Sequence, residues 1–182
     1  MWGFVGKIII FANNSRKRIK TELIRSINRQ GKMRFYGDFP AKTDAKGRVF
    51  LPAAYRKVLE AHGEERLVMR PDLFQECLVL YPESLWNNML DSLRNKLNRW
   101  NREHQDIIRG FVAQSEIVEL DSNGRFLISK KRMNDMGIKQ DVRFLAVDDR
   151  IEVWDKHKCE QHLAQQESLG EKLQEAMADL AF

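Results

Sequence analysis

The sequence predicts an α+β fold built from two copies of one unit. The stretch Asp44-Ala45-Lys46-Gly47-Arg48-Val49-Phe50-Leu51 returns in skeleton as Asp121-Ser122-Asn123-Gly124-Arg125-Phe126-Leu127-Ile128. In both copies an acid opens a tight turn, Gly takes a conformation that residues with a Cβ avoid, and an Arg restarts the chain before three apolar residues. The sequels match as well: each copy runs through a helical stretch to a strand with an aromatic, Cys77-Leu78-Val79-Leu80-Tyr81 and Ile151-Glu152-Val153-Trp154. One Asp-x-x-Gly-Arg is a weak signal, because acidic turns precede strands in many folds. Two copies with matching sequels define a duplicated half-domain.

The elements follow in order. Residues 1–32 join an apolar run, Trp2–Ala12, to the polar tract Asn13-Asn14-Ser15-Arg16-Lys17-Arg18 and a weakly amphipathic stretch. They are either a basic arm for DNA phosphates or, as expected here, an upstream extension dispensable for folding and binding. Phe35–Thr43 is an extended lead-in. Val49-Phe50-Leu51 is a continuous apolar run, expected as a strand buried on both faces. Pro52 is expected at the first position of a helix over Ala53 to about Ala61, ended near Gly63. Strands are expected at Leu67-Val68-Met69 and Cys77–Leu80, around a turn at Pro71-Asp72.

Pro82 opens the next helix, with Leu85, Trp86, Met89, Leu90, Leu93, Leu97 and Trp100 at three- and four-residue spacing. A second helical piece, Glu103 to about Ala113, leads to Glu116–Leu120, whose alternation marks a half-buried strand. The second copy continues with Phe126-Leu127-Ile128, a short helix from Ser129 to Met136 ended by Gly137, and strands at Val142–Val147 and Arg150–Trp154. Leu163, Leu169, Leu173, Ala176, Met177 and Leu180 then line one face of one or two helices. The expected division is an extension at 1–32, a first half at 33–113 and a second half at 114–182.

The chain has 182 residues, 43% of them apolar, enough for a buried core. Its formal charge of +5 resembles that of a nucleic-acid binder, but residues 1–32 hold eight Lys or Arg against one Glu, a net of +7. The remaining 23 basic and 25 acidic residues give −2. Any DNA-binding surface outside the extension must therefore be a local patch. Cys77 and Cys159 lack the spacing of a disulfide scaffold, which fits a reducing cytoplasm. Trp2–Ala12 is too short to cross a bilayer, and its basic residues follow the run instead of preceding it as in a signal peptide.

The chemistry lies in the two turns. A carboxylate four residues before an Arg, across a tight turn, holds the guanidinium in one orientation through charge-assisted hydrogen bonds. Such a fork matches the O6 and N7 acceptors of guanine in the major groove, a contact giving about 1–3 kcal/mol of discrimination. The candidate DNA-binding residues are Lys46, Arg48, Asn123 and Arg125, with Asp44 and Asp121 orienting the arginines and Gly47 and Gly124 making the turns. Lys130, Lys131 and Arg132 are either phosphate contacts or an exposed helix face. The residues alone leave another reading open, two surface turns stapled by ion pairs. No catalytic constellation is present. His157, Cys159 and His162 are the nearest to a metal set, but a helix puts only Cys159 and His162 on one face, and zinc takes four protein ligands or three plus water.

From Met33 to Leu180 the chain resembles the MraZ family. Asp44, Lys46, Gly47, Arg48, Pro52 and Arg56 match its first motif, Asp121, Gly124 and Arg125 its second, and Leu78-Leu80-Tyr81-Pro82 its strand-to-helix junction. Thr43 departs from the usual apolar residue, and Ser129 stands where the second copy often has Pro. The resemblance implies a swapped-hairpin β-barrel of the AbrB and MraZ type, interleaved from two half-barrels, with surrounding helices and both motif turns at one end. It also implies a cytoplasmic, nucleoid-associated transcriptional regulator, usually a repressor of a division and cell-wall gene cluster. Such a protein binds short direct repeats of double-stranded promoter DNA as a ring-like homo-oligomer. No cofactor, metal, membrane or small-molecule substrate is expected. An antitoxin-like protein-interaction module is the alternative.

Overall fold

The computed structural model describes residues 32–165 and 169–178, so the extension expected over residues 1–32, apart from Lys32, and Leu180 lie outside the described residues. In chain order the elements are β1 (Asp38–Lys42), β2 (Arg48–Phe50), α1 (Ala53–His62), β3 (Arg66–Pro71), β4 (Leu78–Pro82), α2 (Glu83–Lys96), α3 (Arg102–Ala113), β5 (Glu116–Glu119), β6 (Arg125–Leu127), α4 (Lys130–Met136), β7 (Asp141–Val147), β8 (Arg150–Asp155), α5 (Lys156–Ala164) and α6 (Leu169–Ala178). The order β-β-α-β-β thus occurs twice, as the duplicated motif requires.

Six antiparallel strands form one sheet in the order β1-β7-β8-β4-β3-β5, and β2 pairs with β6 in a separate ribbon. Exchanging β1 with β5, β2 with β6, β3 with β7 and β4 with β8 reverses this order and leaves it unchanged. Among the described residues only β3–β4 and β7–β8 pair within a copy; β1–β7, β3–β5, β4–β8 and β2–β6 all pair across copies. The two copies therefore interleave, and neither has a complete sheet of its own. The six-stranded ladder is open, with β1 and β5 at its edges, and the ribbon contacts both. A barrel closed by hydrogen bonds is not formed among the described residues.

Both faces of the sheet are covered, and the strands alternate between them with the period of two that a pleat imposes. Leu67, Met69, Leu78, Leu80, Phe144, Ile151 and Val153 enter one core together with Val49, Leu51 and Phe126 of the ribbon region and Tyr55 and Leu59 of α1. On the opposite face Val68, Cys77, Val79, Tyr81 and Trp154 pack with Trp86 of α2 and Cys159 of α5. Trp86 stacks on Phe111 of α3 with centroids 5.0 Å apart. Burying each large apolar side chain contributes roughly 1.5–3 kcal/mol, which is what holds the interleaved copies together.

Three local expectations need correction. The run Val49-Phe50-Leu51 is buried at Val49 and Leu51 only, and Phe50 is 55% exposed. The helix after Pro82 stops at Lys96, because Leu97 turns to an extended conformation (φ −104°, ψ 136°), and Trp100 beyond it is 92% exposed. Pro52 and Pro82 stand one position before their helices, as the capping residues. Gly63 and Gly137 end α1 and α4 with left-handed φ of 72° and 65°, the usual helix C-terminal geometry.

Candidate nucleic-acid interface

The two motif turns have one geometry. In the first, Asp44 N donates to Arg48 O at 2.8 Å and Gly47 N donates to Asp44 O at 2.9 Å. In the second, Asp121 N donates to Arg125 O and Gly124 N to Asp121 O, both at 2.8 Å. Gly47 and Gly124 have φ of +85° and +80°, the left-handed region that a side chain strains. The turns are also clasped across the copies: Ile128 N donates to Gly47 O at 2.9 Å and Leu51 N to Gly124 O at 3.0 Å. Each turn is thus held by the strand that leaves the other.

Each carboxylate then divides its two oxygens between turn and side chain. Asp44 Oδ1 accepts from Lys46 N and Arg48 N, both at 2.9 Å, while Oδ2 accepts from Arg48 Nε at 2.7 Å and forms an ion pair with Nη2, also at 2.7 Å. Asp121 repeats this, with Oδ1 accepting from Asn123 N and Arg125 N at 2.9 Å, and Oδ2 accepting from Arg125 Nε at 2.9 Å and pairing with Nη2 at 2.8 Å. The Arg48 amide, and after it the Arg48 guanidinium, lower the Asp44 carboxyl to about 2. The Arg125 amide and guanidinium lower Asp121 in the same way. Both stay ionised at neutral pH and hold each guanidinium through Nε and Nη2.

The ribbon brings the two sites onto one surface. Its register pairs Arg48 with Leu127, Val49 with Phe126 and Phe50 with Arg125. Val49 and Phe126 point into the core, so Arg48, Phe50, Arg125 and Leu127 share the outward face. Lys46 and Asn123 are exposed at the turns. Of the basic residues on α4, Lys131 pairs with Asp135 at 2.9 Å. Arg132 bonds Glu116 Oε1 at 3.2 Å and Gln114 O at 2.5 Å, tying α4 to the start of β5. Lys130 instead lines a groove of about 590 Å³ beside the first turn, together with Thr43, Met133 and Lys139. Thr43, the departure from an apolar residue, is buried with its hydroxyl 3.4 Å from Gln140 O.

Arg56, which the resemblance places with the first motif, lies beside the second turn. Its Nε donates to Leu51 O at 3.2 Å. A Cβ on Gly124 would lie 2.7 Å from Arg56 Nη1 and 2.8 Å from its Cδ, so the glycine makes room for this side chain. The corresponding neighbour of Gly47 is Met133, whose Sδ would lie 3.3 Å from a Cβ there. The first turn therefore has Lys46 with Met133 beside it, and the second has Asn123 with Arg56. The first turn thus carries a cation within itself, Lys46, whereas the second has one packed against it, Arg56.

His157, Cys159 and His162 do not converge. His157 lies 3.8 Å from Glu160, Cys159 is buried, and the His162 ring stacks on Trp154 at 4.8 Å. Burial pushes the Cys159 thiol up to about 11 and raises Cys77 as well. Among the described residues no group of three or more His, Cys, Asp or Glu is arranged to hold a metal ion.

A family model described as "MraZ protein, putative antitoxin-like" matches residues 35–109 and again 111–180. A protein of Phocaeicola vulgatus named transcriptional regulator MraZ is 52% identical over 145 residues, covering 80% of this chain and 94% of that protein. One of Bacteroides thetaiotaomicron with the same name is 50% identical over 147 residues, covering 81% and 94%. One of Acetivibrio thermocellus, again so named, is 34% identical over 148 residues, covering 81% and 99%. With the family model matching both copies of the turn-bearing unit, the chain belongs to the MraZ family.

Proposed function

We propose that the chain is a transcriptional regulator that binds double-stranded DNA specifically through Arg48 and Arg125. The observation that carries this reading is the pair of guanidiniums held by Asp44 and Asp121 on one exposed ribbon face. A guanidinium fixed before binding loses less freedom on meeting guanine O6 and N7, so more of the contact energy appears as affinity and specificity. Lys46 reaches a base edge or phosphate from the first turn, Asn123 lies at the second, and Arg56 supplies the phosphate contact there. The names of the relatives support the regulatory role.

The finer reading is a repressor, cytoplasmic and nucleoid-associated, of a bacterial division and cell-wall gene cluster, acting on short direct repeats upstream of its own operon. Two small turns per chain are too few for tight binding, and a ring-like homo-oligomer multiplies them along one groove. The cross-copy pairing supports a swapped-hairpin barrel made from halves at 33–113 and 114–182, the ribbon filling the gap between the sheet edges. No part of this reading assigns the chain a catalytic role.

A gel shift with the DNA upstream of the gene, against a scrambled duplex of equal length, tests the proposal. A shift of the native repeats at concentrations that leave the scrambled duplex free is expected. Equal binding to both would reduce the protein to a nonspecific binder and sink the proposal.

A further inference from the structure

Two large apolar side chains that the core does not use lie beside the held arginines. Phe50 and Leu127 are 55% and 54% exposed. They are equivalent in the two copies, each two residues after the motif arginine. Register places Leu127 opposite Arg48 and Phe50 opposite Arg125, and Arg125 Cζ lies 5.7 Å from the centre of the Phe50 ring. The outward face is thus a checkerboard of two guanidiniums and two apolar groups, with Val49 and Phe126 closing it from beneath. An isolated exposed apolar residue needs no explanation, but two at equivalent positions between two fixed cations form a patch with a defined partner chemistry.

Each arginine is balanced by its carboxylate, so Lys46 and Arg56 beside the turns supply the positive charge that selects a polyanion, and the apolar pair selects one that offers methyl groups beside hydrogen-bond acceptors. The major groove of B-DNA does this, since it admits a two-stranded β-ribbon and displays the thymine 5-methyl next to guanine O6 and N7. We infer that Phe50 and Leu127 form a thymine-methyl-reading site, each acting with the arginine that faces it across the ribbon. This rests on the DNA-binding reading of the two turns. Directly opposed cross-strand residues have Cβ atoms about 4.5–5.5 Å apart, against a rise of about 3.4 Å per base pair. The thymine that each apolar side chain covers therefore lies one or two base pairs from the guanine read by its arginine.

Replacing thymine by uracil in the promoter repeats removes only the 5-methyl groups, so the test needs no altered protein at its first step. Affinity of the wild-type chain is measured by fluorescence anisotropy at one salt concentration for four duplexes: repeats with thymine, repeats with uracil, and both forms of a scrambled sequence. Burial of a single methyl group corresponds to roughly a fourfold change, so at least that preference for thymine is expected in the repeats and none in the scrambled duplex. The double variant Phe50→Ser and Leu127→Ser should lose the preference while still favouring repeats over scrambled DNA through its arginines. Wild type that favours the repeats but binds thymine and uracil forms equally overturns the inference and leaves the DNA-binding reading standing. Thymine preference that survives in the double variant also overturns it. A double variant that changes oligomeric state, with wild type indifferent to uracil, makes the pair a subunit contact. Wild type that does not favour the repeats at all fails the DNA-binding reading itself.

Discussion

The carbonyl oxygen of Gly47 accepts a hydrogen bond from Ile128 N at 2.9 Å, so the turn carrying Arg48 is held by the strand that carries Arg125. Close backbone approach is possible because Gly47 has no Cβ. A Cβ there would lie 2.4 Å from Ile128 O, a backbone atom that cannot move alone, whereas at Gly124 it would meet the Arg56 side chain, which can turn aside by giving up its bond to Leu51 O. Both positions have positive φ, which strains a side chain by about 1–3 kcal/mol. Gly47→Ala is expected to destabilise by about 3 kcal/mol or more, and Gly124→Ala by about 1–2 kcal/mol. Urea unfolding of both variants checks the ranking; equal losses would show that the clasp at Gly47 is slack.

The pH dependence of stability follows from Asp44. Its carboxyl lies at about 2 in the folded chain, below the ordinary 3.8, chiefly because it accepts from the Arg48 amide and guanidinium. A depressed folded value stabilises the fold above the unfolded value, and that contribution is lost as pH falls through the folded one. The stability gap between wild type and Asp44→Asn should therefore be full above about pH 4 and shrink toward pH 2. Urea midpoints along an acid series measure it. A gap that stays constant down to about pH 2 contradicts the assignment.

The exchange of cations between the turns makes a prediction of its own. Arg56→Met gives the second turn the neighbour that the first turn has, and leaves it without its added charge. Affinity should fall several-fold for specific and scrambled DNA alike, with a salt slope shallower by about one unit per bound turn. Adding Asn123→Lys, which supplies the cation from within the turn as Lys46 does, should restore the slope. A double variant that binds no better than Arg56→Met would make Arg56 a packing residue.

Much of this was legible in the sequence because duplication shows itself twice. The spacing of Asp44 to Arg48 and of Asp121 to Arg125 located both turns, and the apolar runs at Leu67–Met69 and Leu78–Leu80 located central strands. Pairing partners were not legible, since β2 meets β6 and β4 meets β8 across long sequence separations that no local pattern records. Phe50 looked buried because a run of three apolar residues has no alternation to reveal its outward side. Trp100 fitted the helical spacing, but Leu97 breaks the helix before it. Arg132 reads in the sequence as either a phosphate contact or part of an exposed helix face, and tertiary pairing with Glu116 uses its charge instead. Arg56 gained its place only when the second turn folded against α1.

Arg48→Ala tests the central claim most directly. Arg48 and Asp44 are an exposed pair with Val49 beneath them in the core, and such pairs contribute only about 0–1 kcal/mol to stability. The variant should fold and assemble as wild type does by circular dichroism and size exclusion. Gel shifts on the promoter repeats and on scrambled DNA, at two salt concentrations, then report what the arginine does. Loss of the preference for the repeats, with residual salt-dependent binding to both duplexes, is the predicted result. Arg48→Ala that unfolds, or that binds the repeats as tightly and selectively as wild type, would make the motif a structural staple and contradict the account.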